Sequence, residues 1–122
     1  MIQILKYPEC TVSLVEDIVQ VQWRPGVRVS EQAALECLAA VKRLGEYSRV
    51  LMLVDLTGVA GLDRGARTVF AQAKLTRKVA VTGASPVDEI IANHYIALDS
   101  GPSPIRYFTS TSDAEAWLRS DP

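Results

Sequence analysis

At 122 residues, 48% of them hydrophobic, the chain has enough apolar side chain for one domain with a core that buries about 65% of the surface its unfolded form would expose. A net charge of −1 and 7% aromatic residues offer neither a broad basic surface nor many rings for bases to stack on, so no nucleic-acid partner is expected. The longest apolar run falls far short of the ~20 residues of a spanning helix, and the N-terminus lacks a basic segment before a long apolar stretch, so the expectation is a cytoplasmic protein with no membrane partner.

Cys10, Val12 and Leu14 alternate with Thr11 and Ser13, and after Glu16-Asp17 the alternation resumes with Val19, Val21 and Trp23. This predicts an antiparallel hairpin of two half-buried strands joined by a tight acidic turn, ended by Arg24-Pro25-Gly26. Ser30 is a good N-cap for a first helix, in which Leu35, Leu38 and Val41 recur at helical spacing up to a Gly45 stop. Lys42 and Arg43 fall in its last turn, where the helix dipole favours cations. Val50 to Val54 then run unbroken into Asp55. A strand with one wet face would alternate, so this one is predicted to be central, parallel and covered on both faces. Gly58, Gly61 and Gly65 follow at its carboxyl end, where open α/β sheets place their functional sites.

Asp63 is expected to cap a second helix with an apolar face of Ala66, Val69, Phe70 and Ala73. Lys78 to Thr82 reads as a strand. Ser85-Pro86-Val87-Asp88 reads as the start of a third helix, with Val87, Ile90, Ile91, His94 and Leu98 on its inner face. Asp99 to Pro104 is a Gly, Pro and Ser-rich loop. Ile105 to Phe108 forms a short strand before a last helix opened by the capping box Ser112-Asp113-Ala114-Glu115, with Trp117 and Leu118 packing inward. The predicted order is β-β-α-β-α-β-α-β-α, an α/β fold with a mixed, mostly parallel sheet flanked by four helices, in one domain over residues 1–122.

Candidate chemistry is sparse. The three glycines do not match G-x-G-x-x-G and no Gly-Lys-Ser/Thr follows, so they read as turn residues rather than a phosphate cradle. His94, the only histidine, reads as a hydrogen-bonded residue on an apolar helix face. Asp55 and Asp63 flank one loop, but Asp63 is already assigned to a cap and neither has an apolar cage to raise its pKa. Cys10 and Cys37, far apart in sequence and without a nearby His, read as buried inert thiols, neither a zinc site nor a redox pair. No catalytic residue, metal or cofactor is expected. Arg64, Arg67, Lys74 and Arg77 read as solvated faces, with Arg64 and Arg67 also placed to line a partner surface.

The order of elements, the run Val54-Asp55-Leu56-Thr57-Gly58-Val59 and the helix-opening Asp63 resemble the STAS superfamily of sulfate transporter and anti-sigma-factor antagonist domains, whose comparable stretch reads D-L-S-G-V and then D-S-S/T-G. Arg106-Tyr107-Phe108-Thr109 with Ala116-Trp117-Leu118 resembles its SpoIIAA-like subgroup of unknown function. In the antagonists a Ser beside that Asp is phosphorylated by the anti-sigma kinase, and the phosphate blocks binding. Here Arg64 and Gly65 stand at the comparable positions, with no hydroxyl between Thr57 and Thr68. The resemblance therefore implies the fold without the phosphoserine switch, since Arg is a fixed cation that no kinase toggles.

The resulting expectation is a non-catalytic binding domain. It would associate with another protein, or with itself as a homodimer, through Thr57, Gly58, Asp63, Arg64 and Arg67. The alternative is a module holding an apolar or lipid-like small molecule between sheet and helices. A hydrolase or transferase using His94 with Asp55 or Asp63 is the least favoured reading, for want of a nucleophile with a partnered base.

Overall fold

The computed structural model describes residues 3–46, 48–72, 75–98 and 104–120. The predicted hairpin forms from β2 (Cys10–Val15) and β3 (Ile18–Trp23), registered from Cys10 opposite Trp23 to Val15 opposite Ile18. Glu16, at a φ of 57°, turns the chain between them. A further strand, β1 (Gln3–Lys6), pairs antiparallel with β2. The sequence pattern does not predict it, because an edge strand with three of its four residues exposed carries no strong apolar alternation.

Beyond β3 the connections are crossovers. Helix α1 (Glu31–Leu44) leads to β5 (Val50–Asp55), α2 (Arg64–Gln72) to β7 (Thr76–Thr82), α3 (Pro86–Leu98) to β8 (Ile105–Phe108), and α4 (Thr111–Arg119) follows. The sheet order is β1-β2-β3-β5-β7-β8, parallel from β3 onward. β5 lies at its interior, between β3 and β7, and Val50 to Val54 are all buried, as their unbroken apolar run requires. Two short strands, β4 (Arg28–Val29) and β6 (Gly61–Leu62), pair in parallel outside the main sheet.

Two apolar layers follow from the alternation along the strands. Val12, Val19, Val21, Met52, Val54, Val79 and Val81 face α1, α2 and α3, whereas Ile18, Leu51, Leu53 and Ala80 face Ala114 and Leu118 of α4. Three helices thus cover one face and a single helix the other. No helix among the described residues is long and apolar enough to cross a membrane.

Helix faces depart from prediction more than helix positions do. Ser30 caps α1 as expected, accepting from the Ala33 amide at 3.1 Å, but the buried face is Ala33, Ala34, Cys37, Ala40, Val41 and Leu44, and Leu35 is 49% exposed. Small residues on that face let α1 lie close to the sheet, which larger side chains would prevent. The helix stops at Leu44, yet Gly45 is there for space rather than for a left-handed turn. A Cβ on it would run into the Val50 side chain, and the positive φ belongs to Glu46.

On α3 the inward side carries Asp88, Ile91 and Ala92, while Val87 and Ile90 are 60% and 56% exposed and His94 is exposed. The inner face predicted there is therefore corrected, and His94 is not a core residue. An apolar helix has no sharp period to read, and the orientation is set by Asp88. Helix α4 begins two residues earlier than predicted, since Ser110 and not Ser112 is its cap and accepts from the Asp113 amide, at 3.3 Å. Leu118 is buried and Trp117 half-buried, its ring 5.6 Å from that of Phe108. Lys78 closes the other end of α4, its Nζ donating to the carbonyls of Trp117 at 2.9 Å and Ser120 at 2.8 Å. Ala73, Lys74, the 99–103 part of the predicted loop and the Leu98 side chain lie outside the described residues.

Candidate functional site

The loop from β5 to α2 is built from the strand end outward. Asp55 Oδ1 accepts from the Thr57 amide at 3.0 Å and from Thr57 Oγ1 at 2.6 Å, an Asx-type closure that turns the chain away from the sheet. Gly58 follows at φ +75°, and its carbonyl accepts from the Gly26 amide at 2.7 Å. A Cβ there would stand 3.0 Å from that of Pro25, so both the backbone and the neighbour demand glycine. The Ala60 and Asp63 amides then donate to the carbonyls of Val27 and Val29, each at 2.8 Å. These bonds and the β4–β6 pair hold the loop along the segment that leads into α1.

Asp63 precedes α2 as predicted, and its carbonyl accepts from the Arg67 amide at 3.0 Å. Its carboxylate, however, pairs with Arg28 Nε rather than capping the helix. The pair is solvent-exposed, with side chains 62% and 43% accessible, so it orients more than it stabilises. Thr57 and Arg64 are exposed, and Arg67 is half-buried with its Nε enclosed and unpartnered. Neither Arg64 nor Arg67 forms an ion pair among the described residues. Gly65 packs against α1, where a Cβ would meet that of Glu31 at 2.7 Å. Of the two positions comparable to the phosphorylated serine, one is therefore a solvent-facing cation and the other has no room for a side chain.

Asp88 belongs to this site although the sequence reading assigned it only to a helix start. It is buried, and the Ser85–Asp88 capping box forms, with the Asp88 amide donating to Ser85 Oγ at 3.1 Å. Oδ2 accepts from the Ala84 and Ser85 amides at 2.8 and 3.2 Å, and Oδ1 accepts from the Gly58 amide at 3.1 Å. Burial disfavours the charge, but the amides of Ala84, Gly58 and Ser85 and the Ser85 hydroxyl outweigh it, so the carboxyl titrates below its ordinary value. Tyr107 is raised by burial, with the Asp88 and Glu89 charges adding to it. The capping pattern was local and readable; the reach of thirty residues to Gly58 had no local signal.

Beside the loop an apolar pocket opens between the sheet and α1 and α2, lined by Val21, Trp23, Cys37, Met52, Leu62 and Phe70 among others. It is small, with room for roughly one water. Trp23 and Phe70 meet edge-to-face over 6.4 Å. Cys10 and Cys37 belong to the same apolar layer, and both thiols are free and buried. Their burial is as expected from the sequence. Among the described residues no three His, Cys, Asp or Glu side chains cluster as a metal site would need. His94 stands exposed on α3, while Asp55 and Asp63 are engaged by Thr57 and Arg28.

None of the curated proteins compared matches the chain. Among solved structures, an uncharacterised protein of the DUF3478 family with a SpoIIAA-like fold, from Shewanella loihica PV-4, aligns with a TM-score of 0.61 at 17% identity, over 97% of this chain and 92% of that one. At that identity the likeness shows the fold alone, and it is the SpoIIAA-like fold that the resemblance implied. A protein of unknown function from Arthrobacter sp. FB24 is 33% identical over 88% of this chain and 96% of that one, with a TM-score of 0.35. Residues 12–121 match the model of a family described as a domain of unknown function, DUF7793. The chain therefore belongs to the DUF7793 family and carries it on a SpoIIAA-like α/β fold.

Proposed function

We propose that this chain is a non-catalytic binding domain that associates with another protein, or with a second copy of itself, through the Thr57–Arg67 loop and α2. One observation carries the reading. The loop is held by main-chain bonds to residues 26–29 and by Asp88 beneath it, yet it turns Thr57 and Arg64, which forms no ion pair among the described residues, to solvent. A surface already rigid loses little entropy on binding, and a fixed guanidinium fits a partner carboxylate or carbonyl. Association on this surface would be constitutive, because Arg64 and Gly65 leave no serine to phosphorylate.

Native mass spectrometry of the freshly purified chain tests this. A dimer or heterocomplex that disappears in Arg64→Glu, with the melting temperature unchanged, supports it. A wild-type monomer carrying a retained small molecule points instead to the second reading, an apolar ligand in the pocket under α2. That reading has the pocket's lining in its favour. It also requires α2, whose one buried residue is Ala66, to move outward to make room.

A further inference from the structure

We propose that the outer edge of β1 pairs with β1 of a second copy of this chain, joining two six-stranded sheets into one about a two-fold axis. Among the described residues β1 ends the sheet and pairs on one side only, with β2. The Tyr7 amide donates to the Cys10 carbonyl at 2.8 Å, in register with the pairs Leu5–Val12 and Gln3–Leu14. Bonded and non-bonded pairs alternate along an antiparallel ladder. Gln3 and Leu5 therefore direct their main-chain groups at β2, and the N–H and C=O of Ile4 and Lys6 point out of the sheet. Leu5 lies opposite Val12 and packs against the α1-side core, which puts the Ile4 side chain on the other face. On that face α4 packs on β5, β7 and β8, away from β1, and Ile4 is 52% exposed. An open strand edge carrying an exposed isoleucine is a template for another strand.

Register and charge select the occupant. In an antiparallel pair centred on Leu5, Ile4 exchanges both main-chain bonds with Lys6 of the second copy, and the two-fold repeats the exchange, so every outward group of both strands is satisfied. Leu5 meets its own copy at the closest approach of the ladder, about 4.5 Å between Cα atoms, and carries the α1-side apolar layer across the axis. On the other face the stem of Lys6 covers Ile4 of the second copy while its ammonium stays in water. No like charges stand opposite each other. A register slid to centre on Lys6 would oppose two lysines and bring Pro8, which has no N–H, into the ladder. At the far edge of the sheet the Val79 and Gly83 amides donate to the carbonyls of Pro104 and Phe108, so Ile105 and Tyr107 point outward there. The equivalent pairing would centre on Arg106 and set guanidinium against guanidinium. β1 is thus the edge that takes its own copy, in a closed isologous contact. A strand of four residues buries less than the roughly 1,200 Å² of a standard interface, so the dimer is weak and depends on concentration.

Sedimentation velocity over a concentration series reads the association, with a thermal melt run on every variant. Ile4→Lys sets ammonium against ammonium in two symmetric pairs and should weaken the dimer about tenfold, whereas Ile4→Glu sets a carboxylate against Lys6 and should tighten it. Ile4→Pro removes an outward donor and no bond to β2, so it should abolish the dimer with the melting temperature held. If the proline variant does not fold, the two charge variants decide. Arg64→Glu should leave this dimer intact, because the contact uses neither the Thr57–Arg67 loop nor α2. A wild type that stays monomeric up to ~1 mM, or a dimer equally stable in Ile4→Lys and Ile4→Glu, would overturn the proposal. So would a dimer lost in Arg64→Glu and kept in Ile4→Lys, a result that would instead support the loop and α2.

Discussion

Asp88 closes its own helix with one oxygen and reaches Gly58 with the other, so removing its charge should be felt in both places. Asn at this position has one carbonyl oxygen and an NH2 that only donates, so it cannot accept from all three amides, and Asp88→Asn should cost about 2 kcal/mol or more at pH 7. The sign of the pH dependence follows from the lowered native carboxyl value. Stability from this group is complete above the unfolded value of about 4 and is lost as pH falls through the lower folded value. The gap between wild type and Asp88→Asn in urea unfolding should therefore be wide at pH 7 and narrower at about pH 3. An equal gap at both would contradict the assignment. Gly65 makes a second test, because a side chain there meets Glu31 near its backbone: Gly65→Ser should cost about 1–3 kcal/mol, whereas Arg64→Ser, at an exposed position, should change stability by less than ~0.5 kcal/mol. Thermal melts of the two variants separate these outcomes. The backbone chemistry of Asp55, Thr57 and Gly58 was legible because it is local. Asp88 over Gly58 and Arg28 on Asp63 were not, since each joins residues that only the folded sheet brings together.

Strands and helix positions followed from patterns that burial on both faces or at a cap imposes, and β5 is the clearest. Leu53, 5% exposed, packs with Ala114 and Leu118 of α4, and Leu53→Ala should cost ~2–4 kcal/mol through lost transfer energy and a cavity. A melt barely moved would place Leu53 outside the core and remove the α4 side of the sheet. At α4 the cap belongs to Ser110, so Ser110→Ala should cost ~1 kcal/mol and exceed Ser112→Ala in chemical denaturation. Ser110 and Ser112 each have an acid three residues on, Asp113 and Glu115, and only the emergence of the chain from β8 selects between them. The faces of α1 and α3 were illegible for a related reason. Alanine on α1 and an apolar run all round α3 weaken the periodic signal, leaving the contacts with Gly65 and Gly58 to decide which side faces in.

For the molecule as a whole, the β5–α2 loop, with the start of α2 behind it, is built into the three-helix side, away from α4. If binding is its function, the partner should be found on that side, and α4 should be free of it. The most direct measurement places a photo-crosslinking residue at Ala60, exposed in the loop, in one variant and at Ala116, exposed on α4, in another, and irradiates each in extract of the native host. Position 60 should yield one dominant adduct at about tenfold or more over position 116, corresponding to a preference of ~1.4 kcal/mol. Adducts in equal amounts at both positions, or at 116 alone, would contradict a binding surface on the Thr57–Arg67 loop and α2.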